Sequence, residues 1–330
     1  MGGVWVATEA DAWDAIMNQR MKVLIGYDGS SCADGALLDL RRAGLPPAVE
    51  AVVMCVADVL LPPQTPPELG AEQPPFPDYP PEATRQAYAR ALRALKQAEA
   101  LARSASERLQ TYFPTWKMHA EAPADSPAWG LVNKADEWQP DLLMVGAHGR
   151  SALSRVLLGS VSQKVLAQAR CSVRIARGRP DAEDSPVRLV VGVDGSADAE
   201  AAVRAVARRV WSPGSEARVL TAVDHTLATA TQQAQDGGEE EWAWVSQMVE
   251  GAAGVLRAAG LIVSSCVAEG DPKRLLPANA EAWGADCIFL GARGLRGIQR
   301  FLLGSVSTAV AARAHCSVEV VRGRPKGDKG

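Results

Sequence analysis

Residues 142–180 and 287–325 of this chain align without a gap, and about half of the positions are identical. The first stretch reads LLMVGAHGRSALSRVLLGSVSQKVLAQARCSVRIARGRP and the second CIFLGARGLRGIQRFLLGSVSTAVAARAHCSVEVVRGRP. A shorter pair lies upstream in the same order, Val23-Leu24-Ile25-Gly26-Tyr27-Asp28-Gly29-Ser30 against Val190-Val191-Gly192-Val193-Asp194-Gly195-Ser196. A repeat in the same order in both halves makes the chain a duplicated domain. The length of 330 residues agrees, being long for one typical core. The boundaries expected are a leader over 1–20, a first domain over 21–178, a linker over 179–186, a second domain over 187–324 and a tail over 325–330. Gly178 and the prolines and acids that follow it mark the linker as exposed. The periodic pattern begins at Met21, so the first twenty residues read either as a loosely attached leader or as a misassigned start.

Within the first copy, short apolar runs alternate with helical patterns. Strands are expected at Lys22–Tyr27, Glu50–Val56, Trp116–Ala120, Asp141–Gly146 and Ser172–Ala176, and helices at Ala33–Ala43, 82–112, Pro127–Trp138 and Val161–Ala169. The second copy repeats this, with strands near 188–193, 217–223, 261–267, 286–291 and 317–321. Strands that are nearly continuous in Val, Ile and Leu imply a parallel sheet covered on both faces, an α/β fold with right-handed crossovers. Five such strands commonly wind in the order 3-2-1-4-5, which sets the carboxyl ends of strands one and four side by side at a topological switch point. Those ends carry Asp28 and Gly146 in one copy, Asp194 and Gly291 in the other. One insertion breaks the symmetry: nine prolines between Pro62 and Pro81 favour extended backbone, either as a partial lid over the first pocket or as a solvated loop. The strands 172–176 and 317–321 are expected at exposed edges, free to pair with each other or across chains.

The loop after strand four has a fixed spacing. Gly146-x-x-Gly149, nine residues, then Gly159-Ser160 recurs as Gly291-x-x-Gly294, nine residues, then Gly304-Ser305. Glycine can take positive φ and lets a backbone approach an anion with no Cβ in the way. The closing Gly-Ser opens a helix whose free N–H groups and dipole favour phosphate. Ser160 and Ser305 are placed to cap that helix or to bond a phosphate oxygen, with Val161, Ser162, Val306 and Ser307 in its first turn. Arg150 follows the second glycine, and Arg155 and Arg300 recur inside the loop as possible neutralising charges. His148 is the one candidate base near the phosphates, but Arg293 takes its place in the second copy and a guanidinium stays protonated. Asp28-Gly29-Ser30 serves equally as a helix cap or as a ligand contact.

The strand ending Gly-x-Asp-Gly-Ser, the G-2x-G-9x-G-(S/T) loop and the closing Cys-Ser-Val strand resemble the universal stress protein family in its ATP-binding branch. The resemblance spans nearly everything from Met21 to Arg324, as a tandem pair. It implies two Rossmann-like domains, each with ATP at the switch point, alone or with Mg or Mn. Gly26, Asp28, Gly192 and Asp194 would then lie at the nucleoside, and the backbones of Val56 and Val223 would face the adenine. Gly146, Gly149, Arg150, Gly159, Ser160, Val161 and Ser162, with Gly291, Gly294, Gly304, Ser305, Val306 and Ser307, would hold ribose and phosphates. The two domains would form a pseudo-dimer, and a homodimer is expected. One departure is the turn after strand three, where Gly270-Asp271-Pro272 stands against Ala122-Pro123-Ala124.

Composition narrows the function classes. The formal charge of −3 gives no general pull toward nucleic acid or an acidic membrane surface. No apolar run approaches the ~20 residues of a spanning helix. The six cysteines form no C-x-x-C pair and no Cys/His cluster, which favours reduced thiols in the cytoplasm over a structural metal site. The loop lacks a Walker lysine and an acidic pair, so it suits holding a nucleotide more than splitting it. A slow ATPase, an adenylate- or flavin-using enzyme and an interaction protein without nucleotide are the alternatives.

Overall fold

The computed structural model describes residues 20–59, 81–149, 158–178, 186–223, 237–294 and 303–323. The tail and nearly all of the leader, the linker and the proline-rich insertion lie outside the described residues. The first domain runs β1 (Met21–Gly26), α1 (Ser31–Asp39), β2 (Val49–Met54), α2 (Pro81–Tyr112), β3 (Lys117–Glu121), α3 (Pro127–Trp138), β4 (Leu142–Gly146), α4 (Ser160–Gln168) and β5 (Ser172–Ala176). The second repeats it as β6 (Arg188–Gly192), α5 (Ala197–Ala207), β7 (Glu216–Val223), α6 (Gly237–Ala258), β8 (Ile262–Glu269), α7 (Pro272–Trp283), β9 (Cys287–Gly291), α8 (Ser305–Arg313) and β10 (Ser317–Val321).

Local chemistry explains these boundaries. Ser30 and Ser196 cap α1 and α5, their hydroxyls accepting the N–H of Ala33 at 3.1 Å and of Ala199 at 3.2 Å. α3 and α7 both begin at a proline, whose missing N–H costs nothing at a helix start. They end on left-handed residues, Gln139 in one and Gly284 in the other. The helix expected over Ala33–Ala43 is α1 followed by a separate 3-10 turn at Leu40–Arg42.

The strands form one ten-stranded sheet of order β3-β2-β1-β4-β5-β10-β9-β6-β7-β8. Each half therefore has the 3-2-1-4-5 winding, and the halves are joined edge to edge. All neighbours pair in parallel except β5 and β10, which are antiparallel. The edges that might have been free are thus used on each other, and β3 and β8 become the outer strands. Burial follows that order: Leu142, Leu143 and Met144 of β4 are fully buried, whereas Lys117 and His119 of β3 and Ile262 of β8 are exposed.

One face of the sheet carries α3, α4, α7 and α8 over a single apolar core that crosses the seam, from Leu24 and Val145 through Val173 and Ile175 to Val318, Val320 and Leu290. On the other face each half keeps its own core. The first is built around Ile25, Leu37 and Leu109 and the second around Val191, Val203 and Phe289. Trp211 links the two on that side, its ring lying where a Cβ on Gly44 would stand, at 2.7 Å; Gly44 has φ +62 and no other residue fits there.

Candidate functional site

In both halves the residues singled out by spacing meet at the carboxyl ends of strands one and four. Asp28 leaves the end of β1, and its Oδ1 accepts the N–H of Ser30 at 3.0 Å; Asp194 does the same for Ser196 at 3.0 Å. That fixes the carboxylate while Oδ2 faces the glycine loop. A Cβ on Gly149 would lie 3.0 Å from Asp28 Oδ2, and one on Gly294 would lie 2.6 Å from Asp194 Oδ2. The second glycine of each loop is therefore a close-approach glycine beside a carboxylate.

The positive-φ expectation for the loop glycines does not hold. Positive φ falls on Gly29 (76°) and Gly195 (80°), inside the Asp-Gly-Ser turns, and on none of Gly146, Gly149, Gly159, Gly291, Gly294 or Gly304. The reason is packing. A Cβ on Gly146 would touch the Cys32 backbone at 3.3 Å, and one on Gly291 would strike the Ala199 nitrogen at 2.6 Å. These glycines let α1 and α5 sit down on the strand ends. Gly26 and Gly192 do similar work on the opposite face, where a Cβ would press on Leu131 at 2.8 Å and on Leu290 at 2.4 Å.

Gly159 and Gly304 are the N-caps of α4 and α8 in extended conformation, and neither has a side-chain cap. Their own N–H groups bond the carbonyls of Ala147 and Ala292, both at 2.8 Å. The first intrahelical bonds are Gln163 N–H to Gly159 at 2.9 Å and Thr308 N–H to Gly304 at 3.0 Å. The N–H groups of Ser160, Val161 and Ser162, and of Ser305, Val306 and Ser307, thus precede the helical ladder. Ser160 and Ser305 are exposed at the first helical position and do not cap the helix. Ser162 and Ser307 are buried, and their hydroxyls donate to the carbonyls of Gly146 and Gly291, both at 2.7 Å. Those hydroxyls anchor the helix to the strand end and leave only the backbone of residues 162 and 307 for a ligand.

Strand register corrects two equivalences between the copies. Gly26 pairs with Met54 and Gly192 with Leu220, so Val56 corresponds to Ala222 and Val223 to Ala57. The turn confirms the offset: Asp125 donates its N–H to the Ala57 carbonyl at 3.1 Å and Gly270 to the Val223 carbonyl at 2.9 Å. The counterpart of Gly270-Asp271-Pro272 is therefore Asp125-Ser126-Pro127, and the turn is more alike in the two halves than the residues 122–124 suggest. Val56 lies half-buried against Gly130, at 3.1 Å from its Cβ position. Arg150, Arg155 and Arg300 lie outside the described residues.

Three participants were not legible from spacing. Asp198 in α5 is buried and holds Arg293 by two bonds, Nε to Oδ2 at 2.8 Å and Nη2 to Oδ1 at 3.1 Å, which keeps the guanidinium firmly protonated. Its counterpart Cys32 accepts the backbone N–H of His148 at 3.4 Å. Trp244 of α6 is half-exposed, and its ring lies 2.8 Å from the Cβ position of Gly195. The fourth residue after each aspartate was the available signal for the first two. For Trp244 the sequence offers none, since the contact depends on where α6 crosses the sheet.

The model of the universal stress protein family matches twice, over residues 19–177 and 187–322. A universal stress protein of Mycobacterium tuberculosis is 28% identical over 323 residues, covering 91% of this chain and 96% of its own length. The crystal structure of a universal stress protein from Archaeoglobus fulgidus superposes with a TM-score of 0.59 at 20% identity, covering 91% of this chain and 98% of that one. A putative universal stress protein from Pseudomonas aeruginosa gives a TM-score of 0.51 at 13% identity, covering 93% and 95%. These two likenesses concern the fold. Among the described residues no helix is long and apolar enough to cross a membrane.

Proposed function

Since the chain belongs to the universal stress protein family, with one family domain in each half, we propose that each half holds ATP at the switch point of its sheet and that occupancy governs what the protein binds. The observation that carries this reading is the uncapped helix entrance. Gly159 and Gly304 stand where a side-chain cap would ordinarily satisfy the first-turn N–H groups, and among the described residues no side chain caps them. Three N–H groups and a helix dipole then converge on each loop, which is the arrangement that takes a phosphate chain. The exposed hydroxyls of Ser160 and Ser305 add a donor to the same oxygens.

The remaining parts suit a nucleoside. Asp28 and Asp194 have Oδ1 engaged and Oδ2 turned to the loop, a position from which a carboxylate accepts a ribose hydroxyl. The backbone of Val56, just past the end of β2, and of its register mate Ala222, near the end of β7, is placed to give edge contacts to a base. Mg or Mn, when bound with ATP, would screen the phosphate charge. The protein's own residues orient the chain of phosphates and provide no lysine of the Walker type, so the reading is one of retention with slow turnover at most.

Equilibrium dialysis of ATP with magnesium against the full chain tests it. Two sites are expected. Ser160→Ala should weaken the first by about 1.5–3 kcal/mol, the worth of a bond to a charged group, and Ser305→Ala the second. Gly159→Val should remove the first site. Gly159 has φ −64, and a Cβ there meets nothing closer than 3.4 Å, so the fold tolerates the change while the backbone approach is covered. Unchanged affinity and stoichiometry in Gly159→Val and Ser160→Ala would overturn the assignment.

A further inference from the structure

The seam between β5 and β10 is held by two sets of contacts that differ in symmetry. The first set is reciprocal. Arg177 donates to the Ala311 carbonyl at 2.7 Å, and its backbone N–H bonds Ser317 Oγ at 2.9 Å. Its counterpart Arg322 donates to the Leu166 carbonyl at 2.7 Å, and its N–H bonds Ser172 Oγ at 3.3 Å. The side chains involved are the same in both halves, and the acceptors on α4 and α8 are backbone. A domain that met a second copy of itself at this edge would make every one of these bonds. They hold without choosing.

The second set has no mate under the pseudo-twofold. In the register Glu319 lies directly opposite Arg174, and both are 1% exposed. Arg174 Nε donates to Asp39 Oδ2 at 2.6 Å and its Nη1 to Glu319 Oε2 at 3.2 Å. Glu319 Oε1 takes Arg209, whose other terminal nitrogen donates to the Ala43 carbonyl at 2.6 Å. Asp39 Oδ1 accepts Ser317 Oγ at 2.7 Å, crossing the seam again. The buried row Asp39–Arg174–Glu319–Arg209 alternates in sign. At equivalent places the halves differ: Ala205 answers Asp39, Glu319 answers Arg174, and Arg209 answers Ala43.

We propose that this row is an address, reserving the β5 edge of the first domain for the β10 edge of the second and refusing a second copy of either domain there. Pairing the first domain with itself would set Arg174 against Arg174 at the dry centre of the seam. Pairing the second with itself would set Glu319 against Glu319. Each charge would keep its own-domain partner, Asp39 or Arg209, and lose the attraction across the seam to a like charge. A buried ion row is a weak route to stability, because desolvation consumes most of the Coulombic gain. Its value here is discrimination between partners that the reciprocal bonds treat alike. Association of two chains through this edge then requires a reciprocal exchange, β5 of one with β10 of the other.

Amide exchange on the full chain, read at 172–176 and 317–321 against β1 and β6 as internal references, tests the address without using any nucleotide. Glu319→Gln keeps the shape and removes the charge; exchange at the seam should quicken about tenfold. Glu319→Arg sets an arginine against Arg174 across the seam and against Arg209 within its own domain, and exchange there should quicken by at least a further tenfold, with β1 and β6 unchanged. Equal exchange in the two variants would mean that the sign of the charge is irrelevant and would overturn the proposal. If Glu319→Arg does not fold, the charge-free pair Arg174→Gln with Glu319→Gln takes its place. Light scattering should then show dimers at a concentration at least about tenfold lower than for the unaltered chain, and an unchanged threshold would overturn it equally.

Discussion

In the second domain Arg293 grips Asp198 through two hydrogen bonds, and its carbonyl also accepts Ser196 Oγ at 3.1 Å. In the first domain the same places hold His148 and Cys32, joined by one N–H···S contact of 3.4 Å. The glycines around these pairs are common to both halves, as are the Asp-Gly-Ser turns and the uncapped helix entrances. Duplication has kept the backbone geometry that a phosphate chain would need and has let the side-chain lock between loop and helix diverge. The second entrance is therefore tied down before any ligand arrives, while the first depends on weaker sulfur contact and main-chain packing.

The same comparison separates the two strand-end glycines, and here the largest effect is expected. A Cβ at position 291 would lie 2.6 Å from both the Ala199 nitrogen and the Asp198 carbonyl carbon, where only backbone could yield; at position 146 the nearest atoms are 3.3 Å away. Gly291→Ala should cost about 3 kcal/mol and Gly146→Ala about 1 kcal/mol, as overpacking against main chain does. Denaturant unfolding gives both values. Equal costs would mean that α1 and α5 sit equally close to their strands.

Next in size is the lock itself. Asp198→Ala strands a guanidinium whose side chain is 32% exposed, so water takes over part of the lost pairing and the cost should be about 1–2 kcal/mol. Cys32→Ala removes only a weak acceptor and should cost less than about 1 kcal/mol. Thermal melts of the two variants measure the difference. Near-equal losses would erase the contrast between the entrances.

Much of this was legible in the sequence for a physical reason. The repeat and the unbroken apolar runs dictate strands buried on both faces, and burial on both faces dictates parallel winding with its switch point. Asp28, Gly149 and Gly159 meet there because strand ends are where such a winding leaves the backbone exposed. The roles of individual glycines were not legible. Gly26 and Gly146 share a residue type with Gly149, yet they accommodate Leu131 and the start of α1, and only tertiary packing distinguishes those uses from approach to a ligand. Nor was the offset between Val56 and Val223 visible, because an apolar valine occurs near the end of strand two in both copies and register alone tells the positions apart. Ser162 and Ser307 illustrate the same limit: a serine in the first turn of a helix faces either outward to a phosphate or inward to a carbonyl, and the strand end beneath it decides.

The smallest contrast lies behind the first entrance. Tyr27 follows β1 where Val193 follows β6, and its hydroxyl donates to Asp34 Oδ1 at 2.7 Å, with Arg108 on the same oxygen at 2.6 Å. Burial, and after it the hydrogen bond to Asp34 and the charge of that carboxylate, push the phenol up to about 12 from its usual value near 10. The folded state thus holds this proton more tightly than the unfolded chain. The resulting stability is complete below about pH 10 and is lost as pH rises toward 12. Asp34 and Arg108 are 42% and 41% exposed, so solvent screening limits the effect to about 1 kcal/mol. The second half, with Val193, has no such loss. Urea midpoints of the unaltered chain and of Tyr27→Phe should therefore run parallel up to about pH 10 and then converge or cross as the tyrosine ionises. Parallel midpoints through pH 12 would show that the phenol titrates alike in the folded and unfolded chain, and that the extra polar cluster of the first domain carries no pH-dependent stability.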